Sequence, residues 1–382
     1  MEPLTSAAGS ELWSRAKRIV VKVGSALLVD DRDSVIRRAW LDALVQDLMA
    51  LKNAGREILI VSSGAVAVGR RLAPNFPAGR VRLHEKQALA AVGQVCIANA
   101  WQEAFRQHGV SAGQLLLTLD DSENRRRYLN ARSCIETLVG YGAVPVINEN
   151  DTITTQEIRF GDNDRLAARV AQMASADVLV LLSDIDGLYT SDPSKDPDAV
   201  FVPEVRHITH EIAAMAGEPT TAHGTGGMVT KLIAARLCME AGCAMVIARG
   251  SPLNPLARLG DGARCTWFLP RSEPHSTRKA WISGSLGAEG RLHLDEGAVG
   301  ALRRGRSLLP AGVRSVEGDF QRGAAVEIVA PDGRILGKGL IAYPSDEARL
   351  LAGHRTADIE SLVGYRGKDE LIHRDDMALN ED

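Results

Sequence analysis

Four short segments hold residue types that are costly to bury and useful in chemistry. The first is Lys22-Val23-Gly24-Ser25, at the end of the apolar run RIVVKVG. A lysine inside a buried strand needs a polar partner, so its ammonium is expected in a site at the strand end. The Gly24 and Ser25 N–H groups suit an anion. A lysine snorkelling from an edge strand is the bland alternative. The second is Ser62-Ser63-Gly64-Ala65, after EILIV. Small residues there let the backbone approach a ligand, although a tight turn explains them equally well. The third is Asn148-Glu149-Asn150-Asp151, followed ten residues on by Gly161-Asp162-Asn163-Asp164. Helix capping by Asp162 or Asp164 accounts for one aspartate. It does not account for this many carboxylates and amides.

The fourth segment is Gly224-Thr225-Gly226-Gly227-Met228-Val229-Thr230-Lys231, leading into a helix. A glycine-rich turn at a helix N-terminus offers N–H groups to phosphate. Lys231 in the first helical turn opposes the dipole, which phosphate contact would explain. The spacing is not that of a Walker A motif, and protein-kinase HRD and DFG signatures are absent. Ser183-Asp184 and Gly187-Leu188-Tyr189 add polar groups for a base or ribose. Two lysines from distant strands, a phosphate nest and clustered carboxylates point to phosphoryl transfer. That reaction depends on positioning and charge neutralisation, with Mg²⁺ across the nucleotide oxygens.

These segments need a frame. Arg18–Gly24, Glu57–Val61, Gln114–Thr118, Val144–Asn148, Val178–Ser183 and Met245–Arg249 read as strands. Their near-continuous apolar character fits a sheet covered on both faces. Between them lie amphipathic helices: one capped by Ser34 and ending near Gly55, then Glu85–His108, Asn124–Gly140, Asp164–Ser175 and Met228–Ala241. The alternation predicts an α/β domain with a mainly parallel sheet sandwiched by helices, and ligands bind at the carboxyl ends of such strands. The texture changes after Leu269. Residues 270–280 read as a linker. Residues 281–359 read as a small, mostly β domain, with Asp332-Gly333 as a hairpin turn. Residues 360–382 read as a loosely held tail.

Composition narrows the class. The chain has 382 residues, 45% hydrophobic and 24% charged, enough for two domains. Charge is near balance at −3, with 45 Lys and Arg against 48 Asp and Glu, which argues against nucleic acid or an anionic membrane as main partner. Gly is frequent at 36 while aromatics make only 4%. No apolar run approaches a membrane span, and the N-terminus has no signal-like h-region. The five cysteines form no CxxC and read as buried, reduced thiols. His207 and His210 lack further ligands nearby, so no metal site is expected in the protein itself. A cytoplasmic location follows.

The ordered set KVGS, VSSGA, AAVGQ, PVINENDTI, GDNDRLAA, LLSDIDGLYT and GTGGMVTK resembles the glutamate 5-kinase family, of the amino-acid kinase fold, over Arg18 to about Gly250. Trp281–His354, with LDEGA, LLPAGV and a G-x-F-x-R-G run at Gly318–Gly323, resembles a PUA domain. Ser25-Ala26 and Val229 depart mildly from the usual pattern. The resemblance implies a kinase domain over 1–269 and ATP-dependent phosphorylation of the L-glutamate γ-carboxylate, the first step of proline synthesis. It implies that Lys22 and Lys231 flank the phosphoryl group and that Asp164 orients them. It implies that Ser63, Asp151 and Asn163 hold glutamate. ATP would contact Lys22, Ser183, Asp184, Thr225, Gly226, Gly227, Met228, Val229, Thr230 and Lys231. L-proline as inhibitor, sensed by the loop Thr152–Phe160, and a homodimer or homotetramer are further implications. Alternatives are an aspartate, acetylglutamate or uridylate kinase, or RNA binding through the PUA module. That module carries 11 Lys and Arg against 9 Asp and Glu from Ser276 to His354, a poor basic stripe.

Overall fold

The computed structural model describes residues 5–30, 35–73, 76, 81–154, 162–216, 227–271, 279 and 287–380. The chain divides into two compact units, Met1–Pro274 and His275–Asp382.

Among its described residues the first unit has ten strands: β1 Arg18–Val23, β2 Glu57–Ser62, β3 Ala112–Leu117, β4 Val144–Glu149, β5 Val178–Ser183, β6 Leu188–Tyr189, β7 Phe201–Val202, β8 Glu204–Val205, β9 Ala244–Arg249 and β10 Cys265–Phe268. Eight form one sheet in the order β3-β4-β2-β1-β5-β9-β10-β8. The strands from β3 through β9 in that order run parallel; β10 is antiparallel to β9. The short strands β6 and β7 make a separate hairpin. The helices are α1 Ala7–Arg15, α2 Ser25–Leu28, α3 Arg38–Asn53, α4 Ala65–Leu72, α5 Leu83–Arg106, α6 Leu119–Glu123, α7 Arg125–Gly140, α8 Asp162–Met173, α9 His210–Ala214, α10 Met228–Glu240 and α11 Pro255–Gly260.

Strand parity sorts the core into two layers. Ile19, Val21 and Val23 of β1 pack with Trp13, Leu41, Leu44, Trp101 and Phe105, on the side of α1, α3 and α5. Val20 packs with Leu166, Val170, Leu232 and Cys238, on the side of α8 and α10. Lys22 shares the parity of Val20. Its register neighbours are Val61 on β2 and Leu181 on β5, both of the second layer. Alternation alone therefore turns Lys22 toward α8 and α10. All the parallel strands end along one edge, which gathers the loops after β1, β2, β4 and β5.

The expected strands and long helices are present with small shifts at their ends. The helix expected from Ser34 begins at Arg38; Val29 and Ile36 form a β-bridge ahead of it, and Ser34 lies outside the described residues. The edge strand β8 and its neighbour β10 carry no alternation long enough to announce them. Of the five free cysteines, Cys238, Cys243 and Cys265 are buried, but Cys134 is exposed, contrary to expectation. Among the described residues no helix is long and apolar enough to cross a membrane.

The second unit is a five-stranded sheet in the order β12-β11-β13-β14-β15, with β11 Gly290–Leu294, β12 Val313–Gly318, β13 Ala325–Val329, β14 Ile335–Leu340 and β15 Met377–Leu379. Asp332-Gly333 turns β13 into β14, with Gly333 at φ 84. The expected loose tail at 360–382 is corrected here. Leu371 and Ile372 are fully buried, and β15 pairs with β14 along Gly337–Gly339. Sheet pairing and apolar burial outweigh the charged look of that segment. The expected linker lies mostly outside the described residues.

Candidate active site

Asp164, the third residue of α8, is 1% exposed. Its Oδ1 lies 2.7 Å from Lys22 Nζ, and its Oδ2 lies 3.5 Å from Lys231 Nζ. Thr230 Oγ1 donates to the same Oδ2 at 2.9 Å. The two lysine side chains are nearly as enclosed, at 11% and 10% exposure. Three elements supply this group: β1 by parity, α8 through its first turn, and α10 through its first turn. The small residues Ala167, Ala168, Ala171, Ala234 and Ala235 are buried where α8 and α10 pack together and against the sheet, which keeps the approach close.

Burial alone would push the Asp164 carboxyl pKa up. The nearby charges of Lys22 and Lys231, with hydrogen bonds from Lys22 and Thr230, outweigh it and hold the pKa below the ordinary 3.8. The carboxylate is therefore ionised at neutral pH. Both lysines thus reach the same carboxylate, one at each oxygen.

Gly227, the N-cap residue of α10, brings no side chain to cap it and is exposed and extended, at φ −73 and ψ −175. Uncapped N–H groups at a helix start are an anion site in waiting. Thr230 links this start to Asp164, because its hydroxyl also reaches Gly227 O at 2.9 Å. Of the expected nucleotide loop, Gly227, Met228, Val229, Thr230 and Lys231 are described, whereas Gly224, Thr225 and Gly226 lie outside the described residues.

Next to this group stands an amide–hydroxyl pair. Asn163 Nδ2 donates to Ser63 Oγ at 2.7 Å. Asn163 Oδ1 is shielded from solvent and meets no donor among the described residues. Ser63 follows β2, and Gly64 then takes a left-handed turn at φ 108 to start α4. A side chain at Gly64 would be strained at that φ and would crowd Val29 Cγ2 at 3.0 Å. Asp151 stands in the turn after β4, followed by Thr152, whose hydroxyl donates to Asn150 Oδ1 at 2.6 Å. Ser183 Oγ donates to Asp184 Oδ1 at 2.9 Å beyond β5, and Asp184 is exposed. Of the loop 152–160, only residues 152–154 are described. Gly161 also lies outside the described residues.

The structure thus joins Lys22, Asp164, Thr230 and Lys231 into one cluster and Ser63 with Asn163 into an adjoining pair. Two features escaped the sequence reading. One is the Thr230–Asp164 hydrogen bond. The other is Gln94 Oε1, which accepts from Asn148 Nδ2 at 2.6 Å. Neither leaves a local pattern, because the partners are 66 and 54 residues apart.

A buried carboxylate bridging two lysines at the carboxyl edge of a parallel α/β sheet, beside a helix that starts on glycine, is the arrangement of a phosphoryl-transferring kinase. Residues 17–249 match the Amino acid kinase family and residues 290–363 match the PUA domain. The chain is 65% identical to the glutamate 5-kinase of Rhodospirillum rubrum, over 94% of this chain and 96% of that one. It is 60% identical to that of Paramagnetospirillum magneticum, over 95% and 98%, and 53% identical to that of Agrobacterium fabrum, over 95% and 92%. The chain belongs to the glutamate 5-kinases of the amino acid kinase family.

Proposed function

We propose that this protein transfers the γ-phosphoryl group of ATP to the γ-carboxylate of L-glutamate. The observation that carries the reading is Asp164 between Lys22 and Lys231. A carboxylate acceptor has a pKa near ~4.3 and is already ionised at pH 7. No general base is needed. The obstacle is the meeting of two anions, and cations fixed in a water-poor pocket lower it. Asp164 is then an organiser: it holds two ammonium groups a fixed distance apart before substrate arrives.

In this reading Lys22 and Lys231 lie along the path of the moving phosphoryl group. The start of α10 receives the nucleotide phosphates, and Ser183 and Asp184 face the rest of the nucleotide. Ser63, Asn163 and Asp151 hold glutamate, Asn163 Oδ1 being suited to accept from the substrate ammonium. Mg²⁺ arriving with the nucleotide would offset the charge of its phosphates. A place in proline synthesis, inhibition by proline near the glutamate site, a homo-oligomer and a cytoplasmic setting complete the proposal.

The test is γ-glutamyl hydroxamate formation from ATP, glutamate and hydroxylamine, run beside aspartate, acetylglutamate and UMP as acceptors. Glutamate should be used at least ~100-fold better, the discrimination open to a site with buried polar groups matched to one substrate. Equal use of another acceptor would overturn the assignment. Glutamate kinetics with and without proline test the feedback. Unchanged kinetics would remove it.

A further inference from the structure

Helix α5 carries three polar side chains seven residues apart: Gln87, Gln94 and Trp101. Seven residues are close to two full turns, so the three form one stripe with a step of about 10 Å. Each makes a hydrogen bond to a segment at the carboxyl edge of the sheet. Gln87 Nε2 donates to Thr154 O at 3.0 Å. Gln94 Oε1 accepts from Asn148 Nδ2 at 2.6 Å. Trp101 Nε1 donates to Ser62 Oγ at 3.0 Å, with both residues fully buried.

The contacts are specific to two loops. Asn148 is 2% exposed, and its Oδ1 in turn accepts from Glu149 N at 2.9 Å. Gln94 therefore sets the orientation of the Asn148 amide, and that amide sets the backbone entering Asn150-Asp151. At the other end, Thr154 Oγ1 closes back on Asn150 O at 3.0 Å while Gln87 holds the Thr154 carbonyl. Segment 148–154 is thus pinned at both ends by one helix. The same helix grips the loop after β2. Gly93 lies so near Ala65 O that an added Cβ would sit 1.9 Å from it. Apolar residues at 87 and 94 would serve packing equally well. Glutamines there, each matched to a loop group, serve placement.

We propose that Gln87 and Gln94 are positioning residues for the amino-acid acceptor, acting by holding segment 148–154, with Asp151, at a fixed height relative to Ser63. This rests on the reading of Ser63 and Asp151 as the acceptor side. Neither glutamine touches the Lys22–Asp164–Lys231 group in the structure. The effect should therefore fall on acceptor binding and leave phosphoryl transfer alone.

The test is steady-state kinetics of full-length Gln94→Met and Gln87→Met together with amide hydrogen exchange of both. KM for glutamate should rise at least ~10-fold, the scale of one lost positioning hydrogen bond, with kcat and KM for ATP within about 2-fold of the parent. Exchange in 148–154 should quicken at least ~10-fold, with β1 and α10 unchanged. Equal increases in both KM values, or a lowered melting temperature with unchanged KM for glutamate, would overturn the proposal. Gln87 sits near the start of α5, so its variant separates placement from folding if Gln94→Met proves unstable. Exchange is read without turnover. A parent enzyme inactive on glutamate would refute the acceptor assignment, while unchanged exchange in the variants would refute the positioning role.

Discussion

Lys22 and Lys231 meet the two oxygens of one carboxylate, at 2.7 Å on Oδ1 and 3.5 Å on Oδ2 of Asp164. They come from β1 and α10, 209 positions apart in the chain. The two ammonium groups hold the Asp164 carboxyl below its ordinary pKa in spite of its burial, and removing any of the three would leave the others with fewer partners in an enclosed place. The group stands or falls together.

Removing either lysine should cost turnover more than affinity. Lys22→Ala and Lys231→Ala are each expected to lose at least ~100-fold in kcat, as in other deletions of an electrostatic stabiliser. The hydroxamate assay at saturating substrates measures this. Near-normal kcat in either variant would end the assignment.

Asp164→Asn keeps the shape and removes the charge that neutralises two buried ammonium groups. A loss of about 3–5 kcal/mol is expected at pH 7. The pH dependence has a definite sign. The folded pKa of Asp164 is lowered, so its contribution is fully present above the ordinary 3.8 and is lost as pH falls through the lowered value. The stability gap between parent and variant, followed by urea unfolding, should be constant from pH 6 to 8 and shrink below about pH 4. A gap that widens on acidification would contradict the pairing.

Asp151→Ala should raise KM for glutamate far more than KM for ATP. Initial-rate measurements with each substrate varied in turn would show it. The reverse pattern would move Asp151 to the nucleotide side.

Gly93→Ala should destabilise by about 1–3 kcal/mol, because the new methyl meets the Ala65 carbonyl. Gly140→Ala is the control: nothing lies within 4 Å of its Cβ position. Thermal melts should separate the two, with the control unchanged or slightly raised. Equal melting temperatures would show that α4 and α5 can part without cost.

The frame and the centre of this site were legible before any coordinates. Buried parallel strands announce themselves as unbroken apolar runs, and Lys22 is conspicuous inside one. Asp164 belongs to a loop with more carboxylates and amides than capping requires, and Lys231 sits in a first helical turn, where its charge opposes the dipole. What stayed hidden was hidden for physical reasons. Thr230 to Asp164, and Gln94 to Asn148, are contacts made only once three layers have packed. Strand β15 has three residues, too few for a period, and the charges around Leu371 and Ile372 mask two of the most deeply buried side chains of the second unit.

The close crossing at Gly69 and Gly93 has a mechanical side. The Gly69 and Gly93 positions face Leu89 O and Ala65 O with no room for a methyl. Two rods in contact without padding have no play between them. A shift of α4 would have to carry α5 with it or part the two helices. Compliance in this half of the molecule is then left to the loops, and α4 with α5 works as a single stiff lever between them.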